Sequence, residues 1–284
     1  MKTLLAGLLV LATSGVARAQ TGAEFRWAGD PEGGAPYVEA SPTDPNTLVG
    51  FDVEIANLIA RELQRSPRFV LISFYSIDQS VARGDAEIGL SGIEDTVARR
   101  TTMAVTVPYY AFREVLSVRD GDAANYRSLS DLSGKRVATL AGTIAYDILL
   151  RAEREYGLTA VSYEDDVHPY SDLVLGRVDA VLLDNILADR RKRTISGFTI
   201  QPGTIASSHY VGVLAPTNAA LRDRINDILR QAMRDGTLEQ IFRKWQVWND
   251  EQPPLYSAAI QMNTDPSTYD VLGRRYYMRA NFKF

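Results

Sequence analysis

The feature that most constrains this chain is an alternation running through about residues 24–245. Short apolar runs of strand type are separated by amphipathic stretches of helical period. Residues 24–28 read as a strand. In 51–65, Ile55, Leu58, Ile59 and Leu63 fall on one helical face. Strands are expected at 68–72 and 86–90, with a helix at 77–83 between them and Thr96 capping a short helix. A strand at 113–118 precedes a polar stretch, 119–134. A second series follows: strands at 136–140, 159–162, 178–183 and 209–214, and helices at 143–156, 168–175, 185–193, 221–234 and 238–245. Residues 178–183 are apolar but for Asp179, as in a strand buried on both faces. This pattern specifies an α/β fold on mainly parallel sheet.

Length and composition narrow the classes. At 284 residues the chain can fill two hydrophobic cores. A net charge of −4 argues against a sequence-independent nucleic-acid binder. With no cysteine there is no disulfide framework, thiolate metal site, cysteine nucleophile or lipid-modified N-terminal Cys. His168 and His209 are too few for a His-rich metal site, and no metal or cofactor is expected. At the N-terminus, Lys2, an apolar run over 4–16 and Ala17-Arg18-Ala19 read as a signal peptide over residues 1–19. The expected product is a soluble periplasmic protein that is not a lipoprotein.

Five stretches, in order, carry a resemblance to a known family. They are Leu48-Val49-Gly50-Phe51-Asp52-Val53-Glu54-Ile55-Ala56; Gly84 to Gly92 with Thr96 to Arg99 and Pro108-Tyr109-Tyr110; Leu132-Ser133-Gly134-Lys135-Arg136-Val137 with Ala141-Gly142-Thr143; Gly176 to Asp184; and Asp235-Gly236-Thr237-Leu238 through Trp245. Together they resemble a bacterial extracellular solute-binding protein of family 3, a periplasmic receptor for polar amino acids that serves an ABC transporter. The resemblance implies the type II periplasmic-binding-protein fold: two α/β lobes joined by two hinge strands, closing on a ligand in the cleft. Lobe 1 would comprise 20–112 plus 213–250, and lobe 2 would comprise 117–208. The strands at 113–117 and 208–214 would cross between them. The implied partners are a small amino-acid-like ligand and an ABC permease in the inner membrane, for a monomer that binds no nucleic acid.

The same resemblance marks the ligand-binding residues. Arg99 stands where the family grips a carboxylate, which a guanidinium can do through paired hydrogen bonds; a surface arginine, as adjacent Arg100 would be, is the plain alternative. Thr143 after Gly142 opens a helix whose N–H groups attract anions, or it is simply an N-cap. Asp184 would hold an ammonium group or cap the next helix. Ser91, Gly92 and Thr96 lie at the expected cleft edge. Phe74 would form a pocket wall or belong to the core. Glu94, beside Asp95, departs from the Ser or Thr usual in the family: it would repel a ligand carboxylate, meet a cationic part of the ligand, or face solvent. The first loop, Glu32-Gly33-Gly34-Ala35, lacks the usual aromatic lid unless Tyr37 replaces it. Two other classes compete. One is a periplasmic enzyme of the cyclohexadienyl or arogenate dehydratase type, with Glu94 as proton donor. The other is a ligand-sensing partner module. Residues 251–284 are expected to form a tail outside the core fold. The alternation at its end, Tyr276 to Phe284, resembles the last strand of an outer-membrane barrel such as a TonB-dependent receptor.

Overall fold

The computed structural model describes residues 23–32 and 36–262. The expected signal peptide at 1–19, the Gly33-Gly34-Ala35 stretch and the barrel-like end of the tail lie outside the described residues. In chain order the elements are β1 (Glu24–Gly29), β2 (Glu39–Ala40), β3 (Leu48–Val49), α1 (Phe51–Glu62), β4 (Ser66–Leu71), α2 (Ile77–Arg83), β5 (Ile88–Gly89), α3 (Val97–Thr102), β6 (Ala104–Val105) and β7 (Tyr110–Arg119). There follow β8 (Arg136–Leu140), α4 (Ile144–Tyr156), β9 (Thr159–Tyr163), α5 (His168–Val174), β10 (Ala180–Asp184), α6 (Asn185–Thr194), β11 (Phe198–Tyr210), β12 (Val213–Leu214), α7 (Ala219–Arg234), α8 (Thr237–Lys244) and α9 (Gln252–Gln261).

Two five-stranded sheets make two α/β lobes. One has the order β4-β1-β5-β12-β6 and the other β11-β7-β10-β8-β9. β1 pairs in parallel with β4 and β5, and β8 in parallel with β9 and β10. The sheets are nevertheless mixed. β7 runs antiparallel to both β10 and β11, and β12 antiparallel to β5 and β6. The two connecting strands are longer than their apolar runs suggested. β7 and β11 pair from Tyr110–Tyr210 to Arg119–Phe198, with register shifts around Thr204. The stretch Gln201-Pro202-Gly203-Thr204 carries no strand signal; pairing with the buried β7 imposes it. β11 ends at Tyr210, two residues into the run expected at 209–214, which resumes as β12 after Val211 and Gly212.

Residues 251–262 correct the expectation of a tail outside the core. α9 buries Leu255, Tyr256 and Ala259. The Gln252 amide both accepts from the Ala111 N–H and donates to the Ala111 carbonyl, each at 2.9 Å. That edge of β7 needs partners, and a fully buried Gln supplies both a donor and an acceptor.

Gly50 is the tightest backbone position near the cleft. It sits at φ +141°, and a Cβ there would lie 2.0 Å from the Tyr37 carbonyl oxygen. Gly50→Ala should destabilise the protein by about 3 kcal/mol or more in urea unfolding, since backbone and neighbour would both have to move. A loss below about 0.5 kcal/mol would show that the loop at Tyr37 yields freely.

Candidate functional site

The start of α1 builds the lobe-1 side of the cleft. The N–H groups of Phe51 and Asp52 donate to the carbonyls of Pro36 and Tyr37, both at 3.1 Å. The Asp52 carboxylate, fully buried, accepts from the Gly92 N–H at 2.7 Å and the Tyr109 hydroxyl at 2.9 Å. Burial raises its pKa to about 7 despite those two donors. One turn of helix thus fixes two loops, and Gly92, at φ +63°, leaves room for the Tyr37 ring against it. Tyr37 then reaches the other lobe. Its hydroxyl donates to Asp184 Oδ2 at 2.9 Å and lies 2.8 Å from the Tyr210 hydroxyl. Asp184 ends β10 and caps α6 by accepting from the Leu187 N–H at 2.9 Å. Tyr37, the aromatic nearest the first loop in the sequence, is thus buried and spans the cleft.

Glu94 makes a second link across the cleft. It is 4% exposed, and its Oε2 accepts from the Ile144 N–H, the first of α4, at 2.8 Å. The same oxygen is 4.0 Å from Arg99 Nη1. Of the readings open for Glu94, solvent exposure is excluded: a carboxylate of the chain lies between the arginine and the helix N-terminus where an anion is favoured. A third link, at the rim, is the bidentate pair of Arg190 with Glu39, with one contact at 3.1 Å.

The structure brings most of the expected residues together and shows how many are already engaged. Arg99 is 9% exposed; its Nε donates to Asp78 at 2.9 Å and its Nη1 to the Glu94 carbonyl at 2.8 Å. Phe74 lies beside it, with the guanidinium carbon 6.0 Å from the ring centroid. Thr96 caps α3 by accepting from the Arg99 N–H. The Thr143 hydroxyl donates to the Leu140 carbonyl and accepts from the Tyr146 N–H, so it serves its own turn. Gly142, at φ +76°, faces Tyr75 across the cleft. The Ser91 hydroxyl accepts from the Asp30 N–H, and the Gly92 N–H is held by Asp52. Arg100 corrects an expectation: it is not a free surface arginine but forms an ion pair with Asp95.

Sequence reasoning missed Glu114, Tyr210 and the supporting role of Asp52. Glu114 stands opposite Asp184 in the β7–β10 register. It is 1% exposed, and neither carboxylate oxygen has a hydrogen-bond partner. Its signal was present: one acid interrupts an apolar strand of buried type. Burial and the nearby acids Glu94 and Asp184 push its pKa well above the carboxylate range. Burial raises Glu94 to about 8, against the opposing pull of Arg99 and the Ile144 N–H, and Asp184 and Asp147 add to the rise. Asp184 is raised to about 6, mainly by burial. Three acids therefore surround the lobe-2 wall and hold their protons above the ordinary range. Among the described residues no group of three or more His, Cys, Asp or Glu is placed to hold a metal ion.

A family model described as bacterial extracellular solute-binding proteins, family 3, matches residues 32–247. ABC transporter arginine-binding protein 1 of Escherichia coli (strain K12) is 26% identical over 205 residues, covering 70% of this chain and 82% of that protein. L-cystine-binding protein TcyJ of the same strain is 26% identical over 203 residues, covering 71% and 76%. Among solved structures, an ancestral arginine-binding protein bound to arginine superposes with a TM-score of 0.73 at 25% identity, covering 79% of this chain and 99% of that one.

The Glu94 shift has a sign that can be measured. Unfolded, its carboxyl ionises near 4.5; folded, it holds its proton to about pH 8. Between these values the folded state binds more protons, so this group's contribution to stability falls as pH rises through that window. The melting temperature of the ligand-free protein should therefore fall less steeply between about pH 5 and 8.5 in Glu94→Gln than in the parent. Equal slopes in the two would show that Glu94 is ionised throughout.

Proposed function

The chain belongs to the bacterial extracellular solute-binding proteins, family 3, and from that premise we propose that it is the substrate-binding protein of an ABC importer, taking an amino acid or related small polar metabolite between its two lobes. The observation that carries this reading is the family match across residues 32–247, which takes in both connecting strands and every strand of the two sheets but β1. The relatives named above bind arginine and cystine, so the ligand class brought to this chain is that of a small charged or polar amino acid. The lobes touch through side chains at the cleft, Tyr37 on Asp184 and Glu94 on α4, which is where a ligand would exchange these internal contacts for its own. Asp184, Glu94, Arg99, Gly142 and Thr143 are the proposed contacts, with Ser91, Gly92 and Thr96 shaping the loop and Phe74 backing Arg99.

The protein works as a binder rather than an enzyme, in the periplasm after removal of residues 1–19, as a monomer that delivers its ligand to a permease. Among the described residues no helix is long and apolar enough to cross a membrane. The domain division that suits this reading is 20–112 plus 213–250 for lobe 1 and 117–208 for lobe 2, with α9 added to the first. One observation favours a second reading, the dehydratase: Glu94 is a buried acid that keeps its proton near neutral pH, as a proton donor must. Turnover of arogenate or prephenate, lost in Glu94→Gln, would establish that enzyme.

A thermal-shift screen against amino acids, amines, opines and arogenate tests the binding reading. A ligand at about 100 times its dissociation constant should raise the melting temperature by roughly 5–10 °C. Asp184→Asn keeps an oxygen to cap α6, and should cost the hit at least about ten-fold in affinity through the lost charge. Unchanged affinity in that variant would remove Asp184 from the site.

A further inference from the structure

In this cleft the groups that would receive a ligand carboxylate are spent within the protein. The chain's own Glu94 lies against the α4 N-terminus and beside Arg99. Arg99 donates to Asp78 and to the Glu94 carbonyl. The Thr143 hydroxyl proton goes to Leu140, and the Gly92 N–H goes to Asp52. An incoming carboxylate would have to displace Glu94 from the α4 N-terminus and then sit beside the buried carboxyl it displaced, which could not ionise there without repelling it.

The acceptors show the opposite imbalance. Glu114 has two buried oxygens and no donor for either. It stands directly opposite Asp184 in the β7–β10 register, so the two carboxyls cannot readily ionise together unless a cation lies between them. The charged groups acting on Glu114 are Glu94 and Asp184, both acids. On the same face of β7, Phe112 precedes it, with the Tyr210 ring stacked on Phe112 at 4.4 Å, a packed aromatic floor beside the acid. The acids do not converge as a metal site would, among the described residues. Their spread along two strands and a loop suits an elongated molecule with separated positive groups.

We propose that the cleft takes an organic cation without a carboxylate, a diamine or an amino-guanidine, with Glu114, Asp184 and Glu94 as its counter-charges. This rests on the solute-binding reading above and narrows its ligand from an amino acid to a related polar metabolite that uses Asp184 and Glu94 and leaves Arg99 and Thr143 to their internal partners. The cation supplies the donors that Glu114 lacks, leaves Glu94 in place on α4, and lets the three acids ionise together.

Agmatine and L-arginine carry the same guanidinium and ammonium and differ by one carboxylate, so they isolate the point at issue. Titration calorimetry of the purified protein with agmatine, 1,4-diaminobutane, L-arginine, L-cystine and L-glutamine should show agmatine or the diamine binding at least about ten-fold tighter than any of the amino acids. Glu114→Gln should weaken the cation by about ten-fold or more without lowering the melting temperature, because Glu114 makes no hydrogen bond that the variant would lose. Glu94→Ser should shift preference toward L-arginine by freeing the anion position. Tight binding of an amino acid with weaker or no binding of the cations overturns this inference and leaves the solute-binding reading standing. Unchanged cation affinity in Glu114→Gln also overturns it. Failure of every compound to bind counts against both readings.

Discussion

The antiparallel pairing of β7 with β11 is the constraint on which the rest of the structure depends. At one end these strands join the sheet of lobe 2, and at the other the hydroxyls of Tyr109 and Tyr210 reach Asp52 and Tyr37 of lobe 1. Because the same ribbon serves both lobes, its side chains form the floor between them. Glu114 and Tyr210 lie on it, and Asp184 is held opposite Glu114 by the neighbouring pairing with β10. Tyr110, Phe112 and Tyr210 stack along it, and Phe51 and Phe242 join them from the helices of lobe 1. Close-packed rings of this kind set the ribbon's position far more firmly than its polar middle segment could.

That firmness explains how the cleft tolerates its acids. Burying a carboxylate is costly unless hydrogen bonds or opposite charges answer it. Asp52 is answered by Gly92 and Tyr109, and its role is to hold two loops together. Asp184 is answered by Tyr37 and the start of α6. Glu94 is answered by α4, with Arg99 near. Glu114 alone of these four has no hydrogen bond. The graded protonation follows: Asp184 rises to about 6, Asp52 to about 7 and Glu94 to about 8. In the cation proposal made above, the ligand takes the place of those protons, and the aromatic packing beneath holds the acids apart in its absence.

Much of the fold was legible because periodicity survives folding. The apolar run at 178–183 became β10, buried along its whole length, and the face carrying Ile55, Leu58 and Ile59 became the packed side of α1. Motif order also placed Arg99, Thr143 and Asp184 near one another before any geometry was known. Three things were not legible. β11 has too little apolar alternation between Gln201 and Ser208 to announce a strand. α9 is tethered through a polar Gln252, which reads as surface in isolation. Glu114 reads as an exception in a strand until Asp184 is set opposite it.

By itself the sequence determined the class of fold, the order of its elements and the residues able to carry charge into the cleft, because hydrophobic period and turn chemistry are local properties of the chain. Only the tertiary structure decided which of those charges are answered. Hydrogen-bond donors are consumed by acceptors that stand about fifty or a hundred and fifty positions away, as the Ile144 N–H is by Glu94 and the Tyr37 hydroxyl by Asp184. Whether a carboxylate is a cap, a strut or an open counter-charge is settled by burial and partner geometry, and neither is written in any single stretch of residues.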